Sequence, residues 1–426
     1  MRVSVPQLAW HEPSPFHLEF PDDWEVCVRE MGGYRRPALS GEQLREAVQN
    51  PVGIPPIREL ARGRKEVAIL FDDLTRPTRC GPLARPILEE LAEAGIGDKH
   101  IRFVMALGTH GVASRIDFEK KLGRDILRRF PVYNHDPFVP GVYVGTTSTF
   151  RTPVYLNEEV SRCDLRIGIG SVVSHAWAGF GGGGKIILPG VCSTDTIVHN
   201  HRAYHLEAAA GRRPARVGLG IWEENPMRHD IDEAAEIAGL EVLANAVVNG
   251  WGETCALYVG SLKEAFSAAA RDASASCLAE RAVGMDVVVS NTFGKVIEGF
   301  LGLPTAYESV REDGGDVVLI ANSPEGQVIH YLSGPFGEFF TGPEWKDAAL
   351  IPGNVERLIV FSEYPDVASR RWYSRSPKVH FCETWAAVSG LLRERHGPRT
   401  RAVVYPSADI HYFAERDMDT SSGTKA

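Results

Sequence analysis

From Lys65 onward the chain alternates short runs rich in β-branched and aromatic residues with amphipathic ones: KEVAILFDD, PLARPILEELAEAGIGD, HIRFVMALGTH, SRIDFEKKLGRDILRRF. Strand, helix, strand, helix predicts a largely parallel sheet with helices on its faces, because a chain that passes through a helix between strands re-enters the sheet in the same direction. Such sheets collect function where strands end and loops begin. Here those ends read FDDLTRPT and ALGTHG.

The pattern continues with a strand over Asp164–Val173, helices over Thr194–Leu206 and Ile231–Leu240, and a strand pair in EVLANAVVN and CALYVGS. An alanine-rich helix, LKEAFSAAARDASASCLAERA, bridges to a second unit in which the rhythm restarts: GMDVVVSNTFG, a helix near Ala306–Glu312, GGDVVLIANSP, NVERLIVFSEYP, KVHFCETWAAVSGLLRERHG and RTRAVVYPS. The expected fold is therefore α/β, with two α/β domains whose sheets are largely parallel and an active site in the cleft between them. We place a cofactor-binding and catalytic domain at 1–278, a smaller domain at 279–407 and a tail at 408–426 whose polar end, DTSSGTKA, is expected to be disordered.

Composition excludes several classes. A formal charge of -9 and only short basic clusters argue against a nucleic-acid footprint. The N-terminus has no apolar core of signal-peptide length, and no apolar run is long enough to span a bilayer, so a cytoplasmic location without membrane partners is expected. The 7 cysteines are scattered with no C-x-x-C pair, as free thiols in a reducing compartment would be.

Four loops hold the vocabulary of chemistry. In the first, Asp72–Thr78, Arg76 offers a planar fork for a carboxylate or phosphate, with Asp73 and Thr75 beside it. The same residue types would also cap a helix. In the second, His110 sits between small residues at a strand end, where an imidazole has room to meet a ligand; a structural role is the alternative. Asn134-His135-Asp136 repeats the vocabulary, with Asp136 able simply to fix the ring.

The third loop reads SHAWAGFGGGGKIILPG over 174–190. His175 precedes a run of glycines, among them Gly182, Gly183 and Gly184, that ends in Lys185. Gly179, Gly184 and Lys185 match the spacing of a phosphate loop, yet Ile186 stands where the magnesium-binding hydroxyl belongs. The fourth loop carries His199, His201 and His205. His201 and His205 would share a helix face as zinc pairs do, without the intervening Glu of H-E-x-x-H.

Taken together, DDLTRPT, GTH, NHD, the glycine stretch and Asn200-His201 resemble, in order and spacing, the lactate racemase family, whose enzymes carry a nickel-pincer nucleotide. The resemblance covers most of the first domain and is looser in the second. It implies that Lys185 tethers the cofactor covalently through a thioamide, which removes the need for a magnesium hydroxyl. It implies that His201 is the protein ligand to nickel, the other donors, two sulfurs and a carbon, belonging to the cofactor. His110 and His175 resemble the acid/base pair, Arg76 the holder of the substrate carboxylate and Asp73 its supporting carboxylate; Gly182, Gly183, Gly184 and Thr75 would contact the cofactor. Partners implied are a small-molecule 2-hydroxyacid and the enzymes that make the nucleotide and insert its nickel.

The second domain departs from the lactate-active pattern. The stretch NTFGKVIEGFLGLPTAYESV lacks the family's Tyr-Gln pair, leaving Lys295 and Glu298 as candidates to contact substrate. The expected function is a racemase or epimerase inverting C2 of a 2-hydroxyacid by reversible hydride transfer through a 2-keto acid. Two alternatives stand beside it: a phosphotransfer enzyme using the glycine run, and a non-catalytic cofactor binder.

Overall fold

The computed structural model describes residues 1–209, 217–332, 350–374 and 376–414. Residues 415–426 of the predicted tail and the side chain of His205 lie outside the described residues.

Six strands form the first sheet, in the spatial order Thr254–Gly260, Val242–Val248, Leu165–Ser171, Val67–Asp72, Ile101–Ala106, Val132–Asn134. All neighbours run parallel except the Thr254–Gly260 edge, which returns antiparallel as the predicted strand pair. The central strand Val67–Asp72 is buried throughout, because both faces are covered. Val67, Ile69 and Phe71 face the helices Gly41–Gln49, Cys80–Glu93 and Arg115–Leu122 through Leu44, Leu83, Ile87, Leu91 and Leu122. Ala68 and Leu70 turn to the other face, against Ile231, Ala234 and Ala235 of the helix Pro226–Ile237.

The second sheet is wholly parallel, in the order Val379–Cys382, Val355–Phe361, Gly315–Ile320, Val287–Asn291, Arg401–Tyr405, Glu25–Val28. Its last strand comes from the N-terminus, and the hairpin Arg2–Gln7/Ser14–Glu19 packs Val3, Val5 and Leu18 against Val287, Val289 and Ile320. A first domain running unbroken from residue 1 does not describe this segment. EVCV is short and half-exposed, so it carries little periodic signal of its own; its place is fixed by pairing with Arg401–Val404 far along the chain.

The helix expected near Ala306–Glu312 is found at Leu303–Tyr307, shifted because Pro304 in its first turn suits a helix start. Among the described residues no helix is long and apolar enough to cross a membrane.

Candidate active site

The C-terminal ends of the first sheet's strands open into a cleft of about 830 Å³. It is lined from the first unit by Asp73, Thr75, Arg76, His110, His175, Gly182, Gly183, Lys185 and His201, and from the second by Glu298 and His330. Residues as far apart in sequence as Asp73 and His330 thus share one cleft, at the strand ends where open α/β sheets place their ligands.

The Asp72–Thr78 loop folds on itself. Asp73 Oδ1 accepts from Thr75 N at 3.0 Å and Thr75 Oγ1 at 2.5 Å, while Oδ2 accepts from His110 Nδ1 at 2.6 Å. Burial works against the Asp73 carboxylate, but the His110 charge and hydrogen bond, with Arg76 behind them, outweigh it and hold its pKa well below the usual range. His110 is the counterpart: burial disfavours the imidazolium, yet Asp73 and then Glu298 raise its pKa above the ordinary value. A carboxylate on Nδ1 leaves Nε2 as the nitrogen that exchanges a proton with a ligand.

His175 lies in the opposite environment. It forms a two-residue strand with Ser174, paired to Gly179–Phe180, and its Nδ1 accepts from the N–H groups of Trp177 and Ala178, each at 3.2 Å. An Nδ1 that accepts puts the neutral ring's proton on Nε2. Burial, then the charges of Lys185, Lys295 and Arg76, push its pKa well down.

Lys185 stands on a single 3₁₀ turn, Gly183–Ile186. Its Nζ makes no hydrogen bond to a described residue, and burial followed by Arg228 and Arg76 pushes its pKa far below that of an ordinary lysine. The turn is shaped by glycine: Gly182 and Gly183 have φ of 70° and 60°, and a Cβ on Gly183 would meet the Phe266 ring at 2.6 Å. Gly184 does not line the cleft; its missing Cβ makes room for Asp232 and Ile231 of the supporting helix. The close backbone approach that the glycines permit is therefore made largely to the protein. Arg228, which carries no motif in the sequence, staples the loop by donating to the carbonyls of Ala178, Phe180 and Gly182.

The helix Thr194–Ala209 separates its histidines. His201 lines the cleft, donating Nδ1–H to the Ile197 carbonyl at 2.8 Å, which puts the ring's lone pair on Nε2. His199 instead donates to the Phe150 carbonyl at 3.0 Å. His135 is structural: its Nε2 meets the Cys192 carbonyl at 2.8 Å and burial lowers its pKa to about 4. Among the described residues no group of three or more His, Cys, Asp or Glu is arranged to hold a metal ion. An ion at His201 would therefore take its other donors from a bound group.

Lys295 is elsewhere. It is 2% exposed, does not line the cleft, and donates from Nζ to the Ser174 carbonyl at 2.6 Å, tying the second unit to the residue before His175. The second-domain residues that do reach the cleft are Glu298 and His330. Glu298 Oε2 accepts from Arg76 Nη1 at 2.6 Å, and Oε1 lies 3.6 Å from His110 Nε2. Nothing in the sequence around His330 marks it; it arrives because Gly111 N donates to the Ile329 carbonyl and Tyr331 N to that of Thr109, bridging the two units beside His110.

Comparison with known proteins agrees with this architecture. Residues 12–212 match the lactate racemase N-terminal domain. The lactate racemase of Lactiplantibacillus plantarum is 25% identical over 311 residues, covering 70% of each chain. That of Thermoanaerobacterium thermosaccharolyticum is 24% identical over 322 residues, 74% of this chain and 73% of its own. The lactate racemase apoprotein from the same organism has a similar fold, with a TM-score of 0.71 at 19% identity over 97% of this chain and 100% of that one. A Thermotoga maritima protein gives 0.63 at 19% identity over 89% of this chain and 100% of that one. The chain is thus similar to the lactate racemase N-terminal domain over residues 12–212 and to lactate racemases over about 70% of its length, with their fold.

Proposed function

We propose that this protein is a cytoplasmic racemase or epimerase that inverts C2 of a 2-hydroxyacid, using a nickel-pincer nucleotide held at Lys185 and His201. The observation that carries the reading is the meeting of two differently tuned imidazoles, His110 and His175, with the Arg76 guanidinium in one cleft. The nucleotide and its nickel would be supplied by separate synthesis and insertion enzymes.

The residues present fit such a group. Lys185 offers a buried amine whose surroundings shift it toward the uncharged form, the form in which an amine is nucleophilic. His201 offers an Nε2 lone pair. Two buried polar atoms of residues lining the cleft, Ser171 Oγ and Asn245 Nδ2, lack hydrogen-bond partners among the described residues, and a polar nucleotide would satisfy them. When bound, the group supplies the reversible hydride acceptor that lets C2 pass through a planar 2-keto acid.

The chain supplies everything else. Arg76 holds the substrate carboxylate and so fixes which atoms face the two imidazoles. His110, with Asp73 on Nδ1, takes the hydroxyl proton at Nε2, and Asp73 stabilises the imidazolium that forms. His175 presents its Nε2–H to a substrate oxygen. For His175 to act as the base, its proton must move to Nδ1 at the expense of the hydrogen bonds from Trp177 and Ala178. The two faces of the substrate therefore meet unequal partners.

The phosphotransfer alternative is disfavoured by Ile186, buried in the apolar core where a metal-binding hydroxyl would stand. A stereochemical assay on protein loaded with cofactor tests the proposal: inversion at C2 of a 2-hydroxyacid is expected, and retention of configuration across the class would refute it.

A further inference from the structure

We propose that Glu298 is a specificity-determining residue that accepts a hydrogen bond from a hydroxyl on C3 of the substrate, so that the preferred substrates are 2,3-dihydroxy acids. This rests on the 2-hydroxyacid reading of the same cleft.

Glu298 is 5% exposed and lies between the groups that would define the substrate's position, with Oε2 2.6 Å from Arg76 Nη1 and Oε1 3.6 Å from His110 Nε2. A substrate carboxylate on Arg76 and a C2 hydroxyl at His110 bring the next carbon, C3, beside this carboxylate. A methyl group there, as in lactate, would face a buried charge with no hydrogen to offer it, which is costly. A hydroxyl satisfies it.

Arg76 has room for both carboxylates. Among the described residues its hydrogen bonds all run through Nη1, to Thr75 O, Thr75 Oγ1 and Glu298, which leaves Nη2 and Nε to grip the substrate. Binding therefore does not require Glu298 to leave. Nor does the site favour an ammonium at C3, because Glu298 is already bounded by the cations Arg76, His110 and Lys295, which hold its carboxyl ionised against the cost of burial. His330 adds a donor to the same wall: its Nδ1 accepts from Leu332 N at 3.1 Å, and burial, reinforced by His110, pushes its pKa down to about 3, so the neutral ring carries its proton on Nε2.

The test compares three acids that differ only at C3: lactate, glycerate and 3-amino-2-hydroxypropanoate. Cofactor-loaded enzyme should invert glycerate with kcat/KM at least about tenfold above lactate, the least that a hydrogen bond to a charged group supplies. Apoprotein should bind glycerate more tightly than lactate by calorimetry. Glu298→Leu should abolish the preference, the glycerate rate falling much further than the lactate rate so that their ratio approaches one, and Glu298→Gln, which keeps an acceptor oxygen, should restore part of it. Lactate matching glycerate, the 3-amino acid outperforming both, or an unchanged ratio in Glu298→Leu would overturn the inference while leaving the racemase reading intact. Inversion of none of the three by fully loaded protein would overturn the inference, and retention of configuration across a wider panel of 2-hydroxyacids would overturn the racemase reading as well.

Discussion

Replacing Asp73 by Asn removes the charge behind His110 while keeping the side chain's size. Asp73 Oδ2 accepts the Nδ1–H of His110 at 2.6 Å, in a place where burial alone would disfavour the imidazolium. A hydrogen bond to an ionised partner contributes about 1.5–3 kcal/mol. At about 1.36 kcal/mol per pKa unit, its loss should lower the His110 pKa by roughly 1–2 units. The shift is readable on apoprotein by NMR titration of the ring, independent of any cofactor. It should also appear in stability. Asp73 has a folded pKa below its unfolded value of about 3.9, so its contribution is present above that pH and lost as pH falls through the folded value. His110 has a folded pKa above about 6.5, so its share is present below that pH and lost as pH rises through the folded value. The wild type should therefore exceed Asp73→Asn most between about pH 4 and 6.5, the window in which both charges persist. An unchanged or higher His110 pKa, or a stability difference flat with pH, would refute the pairing.

Other consequences are as direct. His110→Ala and His175→Ala should each cut inversion severely in both directions, and the wild-type kcat/KM should fall as pH drops through the raised His110 pKa; a further ionisation above pH 6.5 that vanishes in His175→Ala would contradict a neutral His175. In cofactor-loaded protein His201→Ala should lose most of the nickel by elemental analysis while His199→Ala, whose ring is spent on Phe150, keeps it; equal losses would point to an ordinary histidine cluster. Lys295→Met should lower stability by about 1–3 kcal/mol in chemical denaturation, because the Ser174 carbonyl loses its buried donor, with little change in KM. A raised KM at unchanged stability would instead put Lys295 on the substrate.

Local pattern made the α/β rhythm readable, since strands such as Val67–Asp72 and amphipathic helices such as Cys80–Glu93 declare themselves by period and punctuation. The loops at the strand ends were readable for the same reason: topology gathers such loops, so Asp73, Arg76, His110, His175, Lys185 and His201 lining one cleft follows from where each stands along its strand or helix. Long-range geometry left no such trace. The N-terminal strand finds its sheet through Arg401–Val404, and His330 reaches the cleft through a bridge to the loop of His110. Lys295 and Glu298 are three positions apart and equally polar, yet one is turned beneath the His175 loop and the other into the cleft. Glu298 itself has non-helical φ and ψ of -114° and 48°, a local break that periodicity does not encode. The glycine run suggested a ligand cradle, whereas Gly183 and Gly184 owe their identity to Phe266 and Asp232.

The central claim, a 2-hydroxyacid isomerase built around a group anchored at Lys185, is tested most directly by intact mass and peptide mapping of protein made in cells that also make the nickel-pincer nucleotide. The account predicts a mass increase confined to the peptide containing Lys185, accompanied by nickel, and absent from Lys185→Ala protein of unchanged fold. Folded wild-type protein that emerges from those cells with an unmodified Lys185 would contradict it.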